Sequence, residues 1–211
     1  MSPKDADEPV LPAGTRWLQG RVDRAQQRRI LADLRVVLAL APPYVPMMPR
    51  TGKPLSVQMT NCGILGWLTD KDGGYRYQAT HPLTHRPWPD MPESLLRLWR
   101  EVAEYPALPE ACLINLYAGT ARMGSHRDAD EKDVDAPVVS LSLGDDAVFH
   151  VGGLKRSDPK VRITLRSGDV LILGGASRLA YHGIDRLLPG TSDLLSEGGR
   201  INVTLRRVTR S

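Results

Sequence analysis

Cysteine is scarce: the 211 residues hold only Cys62 and Cys112. Two such thiols make neither a disulfide framework nor the paired spacing of a zinc site. Long apolar runs are missing too. Val36 to Ala41 and Val170 to Leu173 fall far short of the roughly 20 residues that a helix needs to cross a bilayer. The opening residues, Met1-Ser2-Pro3-Lys4-Asp5-Ala6-Asp7-Glu8, lack the basic-then-apolar order of a secretory leader. There is no internal repeat and no low-complexity tract. These absences point away from membranes and secretion and toward the cytoplasm, where thiols stay reduced.

What is present suits a globular protein. The length fits one domain with a full core, and 25% charged with 41% hydrophobic residues is an ordinary balance. A net charge of +4 and a pI near 9.2 are compatible with a polyanionic partner without establishing one. A monomer is expected.

Periodicity divides the chain. Residues 1–15 carry charge and proline without a pattern and read as a loose leader. Ile30, Leu31, Leu34, Val37, Leu38 and Ala41 share one helical face, which predicts a helix over about 23–41 capped by Asp23 and stopped by Pro42-Pro43. From Tyr44 to Pro89 the sequence is irregular, with strands expected at Ser56–Thr60 and Tyr75–Tyr77, and such loop-rich stretches in a compact domain usually carry function. A second helix is expected from Pro92 to Glu104, burying Leu95, Leu98, Trp99 and Val102. Short strands then follow, over 112–117, 138–143, 147–151, 161–165, 170–173, 178–182 and 201–208. The class is α+β. Many short strands around an internal site suggest a jelly roll of the cupin kind.

The chemistry centres on His126-Arg127-Asp128. On a strand, residues two apart share a face, so both side chains can point at one ion. With His182 they would form a 2-His-1-carboxylate set, which leaves positions open for a co-substrate and dioxygen and suits non-haem Fe(II). His-x-Asp alone is commonplace, and His182 alone could be a core residue. The order adds weight, because a closing run Arg200-Ile201-Asn202-Val203-Thr204-Leu205-Arg206 follows. In a strand it places Arg200, Asn202, Thr204 and Arg206 on one face. Two guanidiniums beside an iron site suit a dicarboxylate such as 2-oxoglutarate, although an exposed edge strand could carry the same charges. His81, His85 and His150 read as surface or satisfied core residues.

Asn115-Leu116-Tyr117, His126-Arg127-Asp128, Gly152-Gly153-Leu154-Lys155-Arg156, Tyr181-His182-Gly183-Ile184 and the Arg200 to Arg206 run together resemble the bacterial AlkB family. The likeness begins upstream at Met59-Thr60-Asn61-Cys62-Gly63 and Gly66-Trp67. It implies a double-stranded β-helix core over 91–211, with an N-terminal helix and a nucleotide-recognition lid over 16–90. It implies Fe(II), 2-oxoglutarate and O2 as reactants. Arg200, Asn202 and Tyr117 would surround the far carboxylate of 2-oxoglutarate, with Arg206 and Asn115 at its iron-bound end and Leu113, Met123 and Ser140 in the wall. Met59, Trp67, Tyr75, Asp130 and Arg156 match substrate positions, with Tyr77, Arg127 and Lys155 as neighbours. Without the family, Trp67 is equally a packed loop anchor and Asp130 one more acid in Asp128-Ala129-Asp130-Glu131. Cys62 reads as structural. The chain departs from the family in lacking proline in the Tyr117-Ala118-Gly119 turn, and in carrying Leu116 and Met123 where a basic residue and leucine are familiar.

The activity so implied is oxidative dealkylation of N-alkylated bases such as 1-methyladenine and 3-methylcytosine in single-stranded DNA, with RNA as a second substrate, releasing formaldehyde, succinate and CO2. Methylated bases of this type pair poorly and leave the stack cheaply. Two other readings stand beside it: an AlkB-like oxygenase acting on tRNA or a small molecule, and a cupin-like module that holds metal without turnover.

Overall fold

The computed structural model describes residues 9–210, so the first eight positions of the expected leader lie outside it. In chain order the elements are β1 (Thr15–Leu18), α1 (Arg24–Leu40), β2 (Gln58–Gly63), β3 (Gly66–Asp70), β4 (Gly74–Gln78), α2 (Glu93–Val102), β5 (Ala111–Tyr117), β6 (Met123–His126), β7 (Val138–Gly144), β8 (Asp146–Val151), β9 (Val161–Leu165), β10 (Val170–Leu173), β11 (His182–Leu188) and β12 (Arg200–Arg206). A six-stranded sheet runs β1-β10-β7-β12-β5-β2, a four-stranded sheet β6-β11-β8-β9, and β3-β4 form a separate hairpin. All pairings are antiparallel. The antiparallel, strand-rich architecture is the expected jelly-roll core.

Alternation along the strands decides which residues meet. On the large sheet, Cys112 and Ile114 of β5, Val139, Leu141 and Leu143 of β7, and Ile201, Val203 and Leu205 of β12 share one cluster with the buried faces of both helices. Leu34 of α1 and Leu95 and Trp99 of α2 lie at its centre. The alternate residues, among them Leu113, Tyr117, Val138, Leu171 and Leu173, face the small sheet and join Phe149, Val151, Ile163, Leu165 and Ile184 in a second cluster. A strand covered on both faces reads as nearly continuous burial, and β12 is buried throughout. The polar members of that strand therefore point into the space between the sheets.

Local chemistry sets the helices. Asp23 caps α1, accepting from the Gln26 amide at 2.8 Å while Gln26 Oε1 accepts from the Asp23 amide at 2.9 Å. The Trp99 indole donates to Ala107 O at 3.0 Å, which ties the end of α2 to the following loop.

Four elements differ from expectation. β1 was not foreseen: it begins at Thr15, where the expected leader ends, and it pairs with β10, its Trp17 indole donating to Asp169 at 3.0 Å. β3 was not foreseen. The strand expected over 178–182 begins only at His182, because Gly175–Ser177 forms a 3-10 turn. β6 stops at His126, so Asp128 lies on the following loop and not on a shared strand face.

Candidate active site

His126 and His182 come together by pairing: they are register partners across β6 and β11. Gly183 permits this approach, since a Cβ there would meet Met123 O at 2.5 Å. The two rings lie 4.5 Å apart between centroids. Each donates Nδ1–H to a backbone carbonyl two residues upstream, His126 to Gly124 O and His182 to Ala180 O, both at 2.9 Å. That fixes the tautomer and leaves both Nε2 lone pairs free. The two Nε2 atoms stand 3.9 and 3.8 Å from the Asp128 carboxylate. The three candidate ligand atoms lie within 4.8 Å of one another. Asp128 reaches this group from the loop, so the three ligands meet as expected by a different route.

Electrostatics prepare the set for a cation. Burial pushes His182 from 6.5 to about 4, helped by the neighbouring His126 and opposed by Asp128. It is therefore neutral, as a ligand must be, near neutral pH. Burial would raise the Asp128 carboxyl, yet Arg206, His182 and His126 hold it far below the ordinary range. Arg206 Nη2 lies 2.9 Å from Asp128.

The charges around the triad do not balance, and the imbalance is informative. Arg206 pairs with Asp128, and Arg178 pairs with Glu131 at 3.0 Å. Arg200 has no carboxylate partner among the described residues. It is 1% exposed, its guanidinium lies 5.3 Å over the Tyr117 ring, and its Nη2 donates to Ser142 at 3.0 Å. Nε and Nη1 are buried without partners. Register explains the stack, because Arg200 sits opposite Tyr117 across β12 and β5. Burial of this unpaired charge depresses its affinity for its own proton. Asn115 Oδ1 is likewise orphaned. Asn202 is held by Ser140 Oγ at 2.7 Å and Thr204 by Asn202 at 3.0 Å. A site with two imidazoles, a carboxylate and a spare buried cation fits a divalent metal beside a small dianion.

All sixteen expected site residues line one cavity of about 560 Å³. Its inner end holds Leu113, Asn115, Tyr117, Met123, Ser140, Arg200, Asn202 and Arg206 around the triad. Trp67, Tyr75, Asp130 and Arg156, half-buried or exposed, line its mouth, and the buried Met59 lines the cavity too. Trp67 and Tyr75, on the β3-β4 hairpin, stack with centroids 5.8 Å apart and planes 22° from parallel. The Trp67 indole donates to Asp130 at 2.7 Å. Asn61 holds the Trp67 backbone through both its carbonyl and its amide, at 2.9 and 3.1 Å. The Arg127 and Arg156 guanidiniums both lie over the Tyr181 ring, 5.7 and 5.1 Å from its centroid.

The neighbours divide. Arg127 lines the cavity, whereas Lys155 is exposed outside it and Tyr77 turns inward to hydrogen-bond Glu131 and Arg206. His81 is a satisfied core residue, with Nε2 on Pro42 O at 2.8 Å, and His150 binds Asp185 on the outer face of the small sheet at 2.7 Å. Sequence reasoning missed Glu131, named only as the end of an acidic run, and Arg178. Their one sequence signal is proximity to ligands, four residues from His182 for Arg178.

The family comparison agrees with this geometry. The 2OG-Fe(II) oxygenase superfamily matches residues 14–206. The chain is 50% identical over 200 residues to an alpha-ketoglutarate-dependent dioxygenase AlkB homolog of Caulobacter vibrioides, covering 94% of this chain and 89% of that protein. It is 46% identical over 204 residues to the alpha-ketoglutarate-dependent dioxygenase AlkB of Salmonella typhimurium, covering 95% and 92%. It superposes on the structure of OsALKBH1 with a TM-score of 0.79 at 30% identity, covering 94% of this chain and 98% of that one.

Proposed function

Because this chain belongs to the 2OG-Fe(II) oxygenase superfamily, and within it to the AlkB dioxygenases, we propose that it removes alkyl groups from N-alkylated bases, such as 1-methyladenine and 3-methylcytosine, in single-stranded DNA. It is a dioxygenase that uses Fe(II), 2-oxoglutarate and O2. With those reactants bound, the iron centre supplies an oxidant able to hydroxylate a C–H bond.

The residues divide the remaining work. His126, Asp128 and His182 hold the metal. Arg200 supplies the missing counter-charge for the far carboxylate of 2-oxoglutarate, with Tyr117 and Asn202 beside it, while Arg206 and Asn115 serve the end nearer the metal. The apolar wall of Leu113, Met123 and Phe149 keeps water from the reacting carbon. At the mouth, the Trp67 face favours a cationic methylated base by ~0.5–2 kcal/mol. Asp130 adds a negative charge 2.7 Å from that indole, Tyr75 and Arg156 complete the opening, and the buried Met59 lines the same cavity. Hydroxylation of the N-methyl carbon gives a hydroxymethyl group that breaks down to formaldehyde and the unmodified base.

The observation that carries this reading is Arg200, a buried cation without a carboxylate, in the same cavity as the triad and an aromatic mouth. No helix among the described residues is long and apolar enough to cross a membrane. We propose a cytoplasmic monomer as the working form. The test is mass spectrometry of a 1-methyladenine oligonucleotide incubated with the protein, Fe(II), 2-oxoglutarate and ascorbate. Loss of one methylene is expected for single-stranded DNA and none with His126→Ala. Succinate production without any change in the oligonucleotide would overturn the base assignment. Turnover of a methylated RNA in preference to DNA would redirect it to the second nucleic acid.

A further inference from the structure

The loop between β6 and β7 has no regular structure of its own, yet it carries Asp128 and Asp130 into the cavity. Such a segment needs an external hold, and Arg178 provides one. Its side chain is 3% exposed and that of Glu131 is fully buried. Three different nitrogens donate to three points on this one loop: Nε to Ala136 O at 2.7 Å, Nη1 to Asp128 O at 2.8 Å, and Nη2 to Glu131 at 3.0 Å. The other Glu131 oxygen accepts from Arg206 Nη1 at 3.3 Å and from the Tyr77 hydroxyl of β4. Arg178 itself closes the 3-10 turn that leads into His182.

We infer that Arg178 is a positioning residue for the metal, with Glu131 as its counter-charge. It touches neither the three ligand atoms nor the walls of the cavity. It holds the backbone carbonyl of Asp128 and thereby fixes the direction in which that carboxylate leaves the loop. Because Arg178 ends the turn four residues before His182, which opens β11, the clamp also ties together two ligands that are far apart in sequence. A planar guanidinium with three spaced donors can do this, and an ammonium cannot.

The inference rests on His126, Asp128 and His182 holding the metal, and the experiment separates the two. Mn(II) is titrated into the metal-free full-length protein and free Mn(II) is read by electron paramagnetic resonance, without turnover. Arg178→Lys, which keeps the charge for Glu131, should weaken Mn(II) binding about 10- to 100-fold. In assays with Fe(II), its apparent KM for iron should rise while kcat at saturating iron returns close to that of the parent. The KM for 2-oxoglutarate should stay put, because Arg200 is untouched. A folded Arg178→Lys variant with parental Mn(II) affinity overturns the inference and leaves Arg178 a residue of stability alone. If that variant does not fold, Glu131→Gln goes through the same titration, where the same weakening supports the inference and unchanged affinity overturns it. His126→Ala should abolish Mn(II) binding, and undiminished binding by that variant would instead remove the metal assignment itself.

Discussion

Replacing Arg200 with methionine should do two things that ordinarily do not go together: it should severely weaken co-substrate binding and leave the ligand-free protein at least as stable. The guanidinium is buried against the Tyr117 ring, with Nη2 on Ser142 and with Nε and Nη1 unpartnered. An apolar side chain of similar length in its place removes an uncompensated charge, and such replacements are often neutral or stabilising. Removing one partner of a buried charge pair costs on the order of 2–5 kcal/mol. For 2-oxoglutarate that is a loss of affinity of about 30-fold to several thousand-fold. Thermal shift on the Mn(II)-loaded protein reads both effects. At a concentration of 2-oxoglutarate of about 100 Kd, linkage contributes ~2.7 kcal/mol of stability. At roughly 2–4 °C per kcal/mol for a chain of this size, the parent should gain about 5–11 °C. Arg200→Met should gain no more than about 3 °C at the same concentration, from a ligand-free midpoint no lower than the parent's. An undiminished 2-oxoglutarate shift in the methionine variant would refute the reasoning.

Two further outcomes follow from the site. His182 is held at about 4 in the folded chain against 6.5 when unfolded, so between those values the unfolded state takes up a proton that the folded state does not. Stability of the metal-free protein should therefore be complete above about pH 6.5 and fall, by on the order of a few kcal/mol, as the pH drops toward 4, which urea midpoints across that range will show. Trp67→Ala should raise the KM for a methylated oligonucleotide about 2- to 30-fold, on the cation–π scale, while succinate production without substrate stays near the parental rate; equal KM values would assign Trp67 to lid packing.

The sequence displayed the interior of this protein more clearly than its edges. β12 was legible because seven residues alternate strictly between apolar side chains for the helices and polar ones for the cavity, and period two survives whatever the neighbours are. The two helices were legible through their apolar faces and the Asp23 cap. β1 was not, since four residues with one tryptophan carry no period, and only pairing with β10 makes them a strand. His126 and Asp128 were assigned to one strand face from their spacing, but the strand ends at His126. Their convergence depends on the Arg178 clamp, which joins residues 42 to 50 positions apart and leaves no local pattern. Glu131 was hidden for the same reason: its neighbours Asp128 and Asp130 are acids too, and burial distinguishes it only after folding. The family likeness located the cavity-lining residues ahead of the fold because it reports spatial neighbours that spacing alone does not.

Cys62 and Cys112 lie directly opposite each other on β2 and β5, both fully buried between the large sheet and the helices. Burial, together with Cys62 alongside, pushes the Cys112 thiol well above its usual range, so little thiolate is present to attack a reagent while the layers stay closed. The pair is thus a built-in clock for separation of the helical layer from the sheet: the rate at which Ellman's reagent colours would time that opening, without a label or an engineered probe.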